Sequence, residues 1–333
     1  MQALLSRCPG GPETLLLEDV PDPQMGSGQI LISIAACGVN FPDLLLIQDL
    51  YQAKPPRPFA PGAEVAGVVT DVGRDVQGFK VGDRVIGRCG WGGMAEKIAL
   101  EPERCTHIPK SMPFEHAAAF LFTHATSYYA LVTRAQLRPG ETVLVLGAAG
   151  GVGIAAVQIA KALGARVIAA VSSEDKLAFA RAHGADDGLI YSSAMDTSDA
   201  RDFSRSLKTI VGSNGANVVF DPVGGPISEP ALRVTVEGGR YLVLGFTAGI
   251  PRVPLNLPLL KSCDILGVNW RTLVLSHPEI NEANQQELFR LYNRGLIAPI
   301  VTETFPLELA ADAISKLQNR GAMGKMVIKV ALL

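Results

Sequence analysis

The feature that most constrains the fold is a glycine-rich turn near the middle of the chain. The apolar run 142–146 is typical of a strand buried on both faces of a parallel sheet, and the sequence GAAGGVG follows it directly at residues 147–153. Residues 150–163 then have the pattern of a helix. Glycines at such a junction let the backbone approach a pyrophosphate, whose charge is favoured by free N–H groups and by the helix dipole. The spacing is G-x-x-G-x-x-G rather than the commoner G-x-G-x-x-G, so the strand–turn–helix setting is what predicts a dinucleotide site.

The segments that follow this turn predict a doubly wound sheet. Between residues 123 and 261 strands and helices alternate, and a β-α-β-α order favours parallel strands covered by helices. The further predicted elements here are strands at 166–171, 217–221 and 240–245 and a helix at 174–183.

The two ends of the chain have a different pattern. Residues 1–122 contain short β-branched runs between Gly- and Pro-rich turns, which is typical of a twisted, partly closed β-barrel. After residue 261 we expect a short strand, two amphipathic helices and a final strand. The last three are placed near 285–293, 308–318 and 325–330.

Composition argues against several classes of function. Thirty Lys and Arg against 32 Asp and Glu leave a net charge of −2, so there is no basic excess to hold nucleic acid or an anionic membrane surface. No run approaches the ~18 apolar residues of a membrane helix, and the first residues do not resemble a secretory signal. Five scattered cysteines without a C-x-x-C pair favour a reducing, cytoplasmic location.

The strand after the glycine turn indicates which dinucleotide is bound. An NAD site usually places Asp or Glu at the end of this strand, on the ribose 2′-hydroxyl. Here the strand ends in Val171-Ser172-Ser173, with Lys176 one turn into the next helix. Small hydroxyls and a cation suit a 2′-phosphate, so we predict NADPH. Ser173 alternatively acts only as a helix N-cap, and Lys176 as a solvated lysine.

Several short segments together resemble one known family. The chain is similar over its whole length to the medium-chain dehydrogenase/reductases, specifically the zinc-free quinone oxidoreductase (zeta-crystallin-like) branch. The matching segments are ACGVNFPD at 36–43, PGAEVAG at 61–67, VGDRV at 81–85, TSYYAL at 126–131 and AGGVG at 149–153.

This resemblance implies a particular organisation. The fold class is α/β, with a GroES-like β-barrel catalytic domain (1–122 and 262–333) and a doubly wound Rossmann NADPH-binding domain (123–261), and the active site lies in the cleft between the two domains. Family members are commonly homodimers or homotetramers joined through the Rossmann sheet edge, for which residues 255–267 are the expected contributor.

The ligand positions for zinc argue against a metal enzyme. Alcohol-oxidising relatives use a Cys and the His of a Gly-His-Glu motif as zinc ligands, where this sequence has Asn40 and Ala63. Neither residue replaces a tetrahedral zinc ligand, and the Cys-rich lobe of a structural zinc is missing. We therefore expect no metal.

The resemblance also implies which residues bind the cofactor. Asn40 and Thr126 resemble the residues near the nicotinamide ribose and carboxamide, and Gly150, Gly151 and Val152 those that hold the pyrophosphate. Phe246 and Val268 would touch the nicotinamide through backbone groups. The expected 2′-phosphate pocket is Ser172, Ser173, Lys176, Tyr191 and Arg320, although Tyr191 and Arg320 also have ordinary structural interpretations. Lys325 is interpreted as a surface lysine.

Without a metal, hydride transfer suits an acceptor that needs little activation, such as a quinone or an enone. Tyr51, which matches a tyrosine lining the family's cleft, and Asn40 are the candidate catalytic donors to the acceptor oxygen. Asp43 is expected to be a structural carboxylate beneath the site. Leu46 and Ile47 stand where relatives often have a tyrosine, which suggests an apolar substrate wall.

Three functions remain open from the sequence. The first is an NADPH-dependent, metal-independent oxidoreductase that transfers hydride to a quinone. The second is an NADPH-dependent C=C reductase of an α,β-unsaturated ketone or enoyl thioester, which the same hydride geometry serves. The third is a non-catalytic NADPH-binding structural protein.

Overall fold

A computed structural model of the chain describes residues 1–192, 197–319 and 321–331. The strands are β1 (Gln2–Leu5), β2 (Leu16–Asp19), β3 (Ile30–Gly38), β4 (Glu64–Val72), β5 (Arg84–Arg88), β6 (Lys97–Leu100), β7 (Cys105–His107), β8 (Thr142–Leu146), β9 (Arg166–Val171), β10 (Asp187–Ile190), β11 (Ala216–Asp221), β12 (Thr235–Val243), β13 (Asp264–Gly267), β14 (Val301–Pro306) and β15 (Lys325–Lys329). The helices are α1 (Phe41–Ile47), α2 (Phe114–Ala117), α3 (Thr126–Tyr128, with π-turns at Leu121–Ala125 and Tyr129–Arg134), α4 (Gly151–Ala162), α5 (Glu174–Ala182), α6 (Thr197–Val211), α7 (Ser228–Arg233), α8 (Asn256–Lys261), α9 (Trp270–Ser276), α10 (Pro278–Asn293) and α11 (Ala310–Gln318).

These elements pack into two units. Unit 1 comprises Met1–Leu121 and Pro299–Leu333, and unit 2 comprises Phe122–Ala298. The sequence placed the second boundary at residue 261, whereas residues 262–298 pack with unit 2. The reason is non-local pairing: β13 lies beside β12, and Arg134 Nε donates to the carbonyl of Gly267 at 3.1 Å.

Unit 1 is built around a seven-stranded sheet to which both ends of the chain contribute. The strand order is β14-β15-β3-β4-β5-β7, with β6 also paired to β3. Strand β15 is antiparallel to β3, with Ile328 opposite Cys37. Alternate residues of β3, such as Ile30, Ile32 and Ile34, are fully buried in the core. This is the GroES-like barrel that the resemblance implies.

Unit 2 is a six-stranded, all-parallel sheet in the order β10-β9-β8-β11-β12-β13. Counted from β8, that order is 3-2-1-4-5-6, so the chain reverses direction across the sheet between β8 and β11. All five residues of β8 are buried, which explains its continuous apolar sequence. The predicted doubly wound class is confirmed. Because ligands of such sheets bind beyond the carboxyl ends of the strands at the reversal, this edge is where a site is expected.

Within the described residues, no helix is long and apolar enough to cross a membrane.

Candidate active site

The predicted cofactor residues of unit 2 lie mostly beyond the carboxyl ends of its parallel strands. The glycine turn follows β8, Ser172 and Ser173 follow β9, Phe246 follows β12 after a short connection, and Val268 follows β13. Since the strands are parallel, these segments share one edge of the sheet. Residues up to 121 positions apart in the sequence, Gly147 and Val268, are thereby brought to the same side of unit 2.

The glycine turn has the backbone geometry of a phosphate cradle. Gly147 adopts φ +60°, and a Cβ there would lie 2.7 Å from Val223 Cγ2. A Cβ at Gly153 would lie 2.2 Å from the carbonyl oxygen of Gly147, so only glycine allows α4 to start this close to the turn. At Gly150 the nearest atom to such a Cβ is Gly147 O at 3.5 Å, and the residue is exposed. Helix α4 begins at Gly151, so its first N–H groups have no acceptor within the helix and fit a pyrophosphate.

Helix α3 is fixed against this turn. Ser127, which is fully buried, donates from Oγ to the carbonyl of Val152 at 2.9 Å. Thr126 precedes it, is half-buried, and donates from Oγ1 to the carbonyl of Phe122 at 2.8 Å. Ser127 was not singled out from the sequence, although it lies in the TSYYAL segment. It connects the Thr126 segment to the glycine turn.

Four of the five residues predicted for a 2′-phosphate pocket lie close to the end of β9. Lys176 Nζ donates to Ser172 Oγ at 3.1 Å, and the Lys176 backbone N–H donates to Ser173 Oγ at 3.3 Å. Ser173 is therefore the N-cap of α5, as one interpretation expected, and it also stands beside the cation. Tyr191 N donates to Val171 O at 2.8 Å, which places Tyr191 next to the same strand end. Arg320 lies outside the described residues, so its expected role is untested.

The two residues expected near the nicotinamide lie beyond β12 and β13. Phe246 is 46% exposed, and its carbonyl accepts from Gly249 N at 2.9 Å. Val268 N donates to Val243 O at 2.9 Å, so any backbone contact of Val268 with a ligand falls to its carbonyl.

Asp221, at the end of β11, organises the neighbouring loop. Its carboxylate is buried and accepts from Val223 N and Gly224 N at 2.8 Å each, from Ser228 Oγ at 2.7 Å and from Tyr241 Oη at 2.5 Å. The sequence predicts Asp221 only as the last residue of a strand. An acidic residue before Pro-Val-Gly-Gly was the signal that could have marked it as a loop anchor.

In unit 1, Asn40 is held by a buried carboxylate. Asn40 caps α1, and its backbone N–H donates to Asp43 Oδ2 at 2.7 Å. The second oxygen of Asp43 accepts from Gly62 N at 3.1 Å. Burial raises the pKa of Asp43 to about 6, and the backbone N–H groups and the Lys325 charge oppose that rise. Asp43 is thus the structural carboxylate that the sequence predicted.

The conformation of Gly62 explains why the first glycine of the PGAEVAG segment is required. It adopts φ +97°, and a Cβ there would lie 2.6 Å from Cys37 Sγ and 2.8 Å from Met94 N. The turn that brings Gly62 N to Asp43 therefore requires glycine.

Lys325 corrects a prediction. The sequence indicated a surface lysine, but Lys325 is 4% exposed, and its Nζ donates to Val39 O at 2.6 Å and to Asn40 Oδ1 at 2.7 Å. Burial lowers its pKa, while the negative charges of Glu64 and Asp43 act in the opposite direction. The strand pattern around residue 325 gave no sign of this contact, because its partners are 285 and 286 positions away.

Tyr51 remains a candidate donor, whereas the apolar substrate wall expected at Leu46 and Ile47 is not found. Tyr51 is half-buried against the barrel core, and its hydroxyl forms no hydrogen bond within residues 1–192, 197–319 and 321–331. Leu46 and Ile47 are 2% and 0% exposed and belong to that core. The suggestion that these two side chains line a substrate pocket is therefore wrong. They face inward because α1 packs on α11 and the barrel.

The donor set around Asn40 does not fit zinc. Ala63 offers no ligand atom, and the side-chain oxygen of Asn40 accepts a hydrogen bond from an ammonium group. A second cation beside that ammonium would be repelled, so we derive no metal-dependent step.

Comparisons with known proteins agree with this architecture. Residues 26–110 match the model of the alcohol dehydrogenase GroES-like domain, and residues 151–286 match that of zinc-binding dehydrogenases. The chain is 35% identical to the rat quinone oxidoreductase-like protein 2 over 96% of its own length and 89% of the relative's. It is 36% identical to the quinone oxidoreductase of Pseudomonas aeruginosa, covering 96% of both chains. The solved Escherichia coli quinone oxidoreductase in complex with NADPH superposes with a TM-score of 0.89 and 28% identity, covering 99% of this chain and 100% of that one.

Proposed function

The chain belongs to the quinone oxidoreductase branch of the medium-chain dehydrogenase/reductase family, and on that premise we propose that it transfers hydride from NADPH to a quinone without a metal. This proposal rests on which residue stands at the position where zinc-dependent relatives have a metal ligand. Here it is occupied by an amide, Asn40, held by an ammonium group. An amide N–H can donate to an oxygen that gains charge, but it cannot act as a Lewis acid. The site therefore suits an acceptor that is already electrophilic.

The residues of unit 2 account for the choice of cofactor. The free N–H groups at the start of α4 bind the pyrophosphate, and the Ser172 hydroxyl with the Lys176 ammonium binds the 2′-phosphate. Bound NADPH supplies the hydride and thereby two electrons. No acidic side chain replaces Ser172 and Ser173 at the end of β9, where NAD sites hold the ribose. The enzyme is accordingly an NADPH-dependent oxidoreductase.

The residues of unit 1 supply hydrogen-bond donors for the acceptor. When a quinone takes up a hydride, negative charge develops on its oxygen, and a proton completes the hydroquinone. The Asn40 amide and the Tyr51 hydroxyl are the two donors proposed for that oxygen. The single variants Asn40→Ala and Tyr51→Phe separate the two roles. Removing the donor that contacts the oxygen should lower kcat by about 100-fold.

Substrate preference tests the proposal against its two alternatives. The wild-type protein is assayed with NADPH and 9,10-phenanthrenequinone or benzoquinone, and in parallel with cyclohexenone, steroid enones and crotonyl-CoA. We expect kcat/KM for the quinones to exceed that for the enones by about tenfold or more. A preference for an enone or the thioester would move the function to C=C reduction. Tight NADPH binding without turnover of any acceptor would favour the non-catalytic role.

The same proposal includes a homodimer or homotetramer and a cytoplasmic location. Strand β13 is the last strand of the unit 2 sheet on one side, and its Ile265 is 38% exposed. Leu255, Leu259 and Leu260, in and beside α8, are 77%, 78% and 74% exposed. An open strand edge next to apolar side chains favours pairing with a second copy. We call β13 and α8 together the edge surface.

A further inference from the structure

Lys325 is an unexpected residue for its place in the barrel. It begins β15, and the next three residues, Met326, Val327 and Ile328, are buried apolar side chains. Lys325 is itself only 4% exposed. A buried ammonium is costly to desolvate, and an apolar side chain of similar size would usually serve packing as well or better. The buried carboxylates of Glu64 and Asp43 face this ammonium and offset part of that cost, but they do not explain why its hydrogen bonds go to the segment of Asn40.

The contacts of Lys325 converge on the segment that contains Asn40. Its Nζ donates to Val39 O at 2.6 Å and to Asn40 Oδ1 at 2.7 Å. The backbone of Asn40 is fixed separately, through Asp43. Asp43 thus holds the main chain of Asn40, whereas its side chain is held by Lys325 at the amide oxygen and by Gly38 O at the amide nitrogen.

The ammonium determines which way the amide of Asn40 is turned. An ammonium group has three donors and no acceptor, so the amide atom facing it must be the oxygen. The NH2 group is then on the other side, where one of its hydrogens donates to Gly38 O at 3.2 Å. That leaves the second N–H as the group that Asn40 can offer to a ligand. A cation on the amide oxygen also polarises the amide and strengthens this N–H as a donor.

We propose that Lys325 is a positioning residue that locks the Asn40 amide as a hydrogen-bond donor to the acceptor oxygen. This inference rests on the proposed function for the identity of the acceptor. The orientation of the amide itself follows from the Lys325–Asn40 contact, together with the hydrogen bond from the amide nitrogen to Gly38 O. Lys325 acts through Asn40 and is not assigned a contact with the substrate.

A double-mutant cycle tests whether Lys325 acts through Asn40. We expect Asn40→Ala to lower kcat with a quinone by about 100-fold, and Lys325→Met by about tenfold, with the KM for NADPH changed less than about threefold. In the Asn40→Ala background, Lys325→Met should lower kcat by no more than about twofold, because there is no amide left to position. Effects that multiply in the double variant would overturn the proposal.

Lys329→Met is the matched control. Lys329 lies on the same strand, its side chain is 52% exposed, and it pairs with Glu115 at 3.1 Å. Its substitution should leave kcat unchanged. If Lys325→Met does not fold, Lys325→Arg replaces it in the cycle, since it keeps the buried charge but displaces the amide. The criterion is the same: any loss of kcat must disappear in the Asn40→Ala background.

A second measurement separates this inference from the proposed function. In NADPH-free protein, the ¹⁵N–¹H signals of the Asn40 side-chain amide are assigned by their disappearance in Asn40→Ala. We expect Lys325→Met and Lys325→Arg to shift these signals and Lys325→Met to speed their hydrogen exchange, whereas Lys329→Met should change neither. Unchanged signals would refute positioning by Lys325. Shifted signals in a protein that reduces no quinone would refute the proposed substrate and leave the positioning role intact.

Discussion

At the residue scale, Ser172, Ser173 and Lys176 at the end of β9 have different roles that single substitutions can separate. Ser173 Oγ caps α5 through the backbone N–H of Lys176, whereas Ser172 Oγ accepts from the Lys176 ammonium. Losing the cap weakens the helix, while losing the ammonium removes a charge and its hydrogen bond to Ser172 but leaves the cap in place. The positive charge can therefore be tested without disturbing the start of α5.

We expect Lys176→Met to raise the Kd for NADPH by about tenfold or more and to leave the Kd for NADH within about twofold. A hydrogen bond to a charged group contributes about 1.5–3 kcal/mol, and only NADPH carries the 2′-phosphate. Fluorescence titration of both cofactors measures the difference. Lys208→Met, at an exposed position on α6, is the control. Equal weakening of both cofactors would show that Lys176 does not recognise the phosphate.

Asp43 predicts a particular dependence of stability on pH. Its pKa in the folded state is about 6, against an ordinary value of 3.8, so the folded state binds this proton more tightly than the unfolded state. The contribution of Asp43 to stability therefore falls as pH rises through this window and stays low above it. We expect the wild-type free energy of unfolding, taken relative to Asp43→Asn, to fall by about 2 kcal/mol between pH 4 and pH 7. Urea denaturation at each pH measures this, and a difference that rises with pH would contradict it.

Individual residues differ in how far the sequence alone could place them. Ser172, Ser173 and Lys176 were predictable because all three lie within five positions of one strand end. Asp43 was predictable because it lies three residues after Asn40, within one helical turn. Lys325 was not, since nothing in its neighbourhood indicates a partner 285 positions away. Leu46 and Ile47 were misassigned because a buried helix face and a pocket wall have the same apolar sequence.

At the element scale, the elements around the glycine turn are those whose predicted bounds agree best with the structure. Strands β8 and β9 have the predicted bounds, and α4 begins one residue later than expected. Helix α10 begins at Pro278, seven residues before the predicted start near 285, because its first turns are polar and show no apolar period. Helix α1 was missed because its seven residues are too few to show one.

Two alanine substitutions should divide the turn into a folding part and a binding part. In Gly150→Ala the new Cβ meets no atom closer than 3.5 Å, so we expect an unchanged unfolding midpoint and a Kd for NADPH raised about tenfold or more. In Gly153→Ala the Cβ would lie 2.2 Å from a backbone oxygen, and we expect a loss of stability of about 2 kcal/mol.

Gly28→Ala is the control for both, since no atom lies within 4 Å of its Cβ. Thermal unfolding and NADPH titration are measured on each variant. Tight binding by Gly150→Ala would mean that the pyrophosphate does not approach this glycine.

At the scale of the whole molecule, the two units are formed from the chain in different ways. Unit 2 is one continuous segment, whereas unit 1 is closed by strands from both ends. The alternation of strands and helices made the Rossmann class predictable. The short β-branched runs between Gly- and Pro-rich turns predicted a barrel, and the family resemblance implied that it is GroES-like. The boundary at residue 298 was not predictable, because only the pairing of β13 with β12 assigns the last segment to unit 2.

The edge surface leads to a prediction about assembly. We expect Leu259→Asp to convert the wild-type oligomer to a smaller species, because a charge replaces an apolar side chain that is 78% exposed in the single chain. Light scattering measures the mass, and NADPH titration checks that unit 2 still binds. Leu16→Asp, at a position 53% exposed on β2 of unit 1, should leave the mass unchanged. A monomeric wild-type protein would rule the edge surface out as an interface.

The position of β15 in the seven-stranded sheet also affects how the protein matures. Strand β3 is synthesised early, whereas β15, which pairs with residues 36–38 of β3, is synthesised much later. Lys325, whose ammonium contacts Asn40, follows Asn40 by 285 positions. Nascent chains and fragments cut before residue 325 therefore lack the β15 partner of β3 and the Lys325 contact to the Asn40 amide oxygen, while the six strands of unit 2 are already complete. Such fragments should retain the nucleotide but lack reductase turnover, so we expect the proposed activity to appear only after β15 has been synthesised and paired with β3.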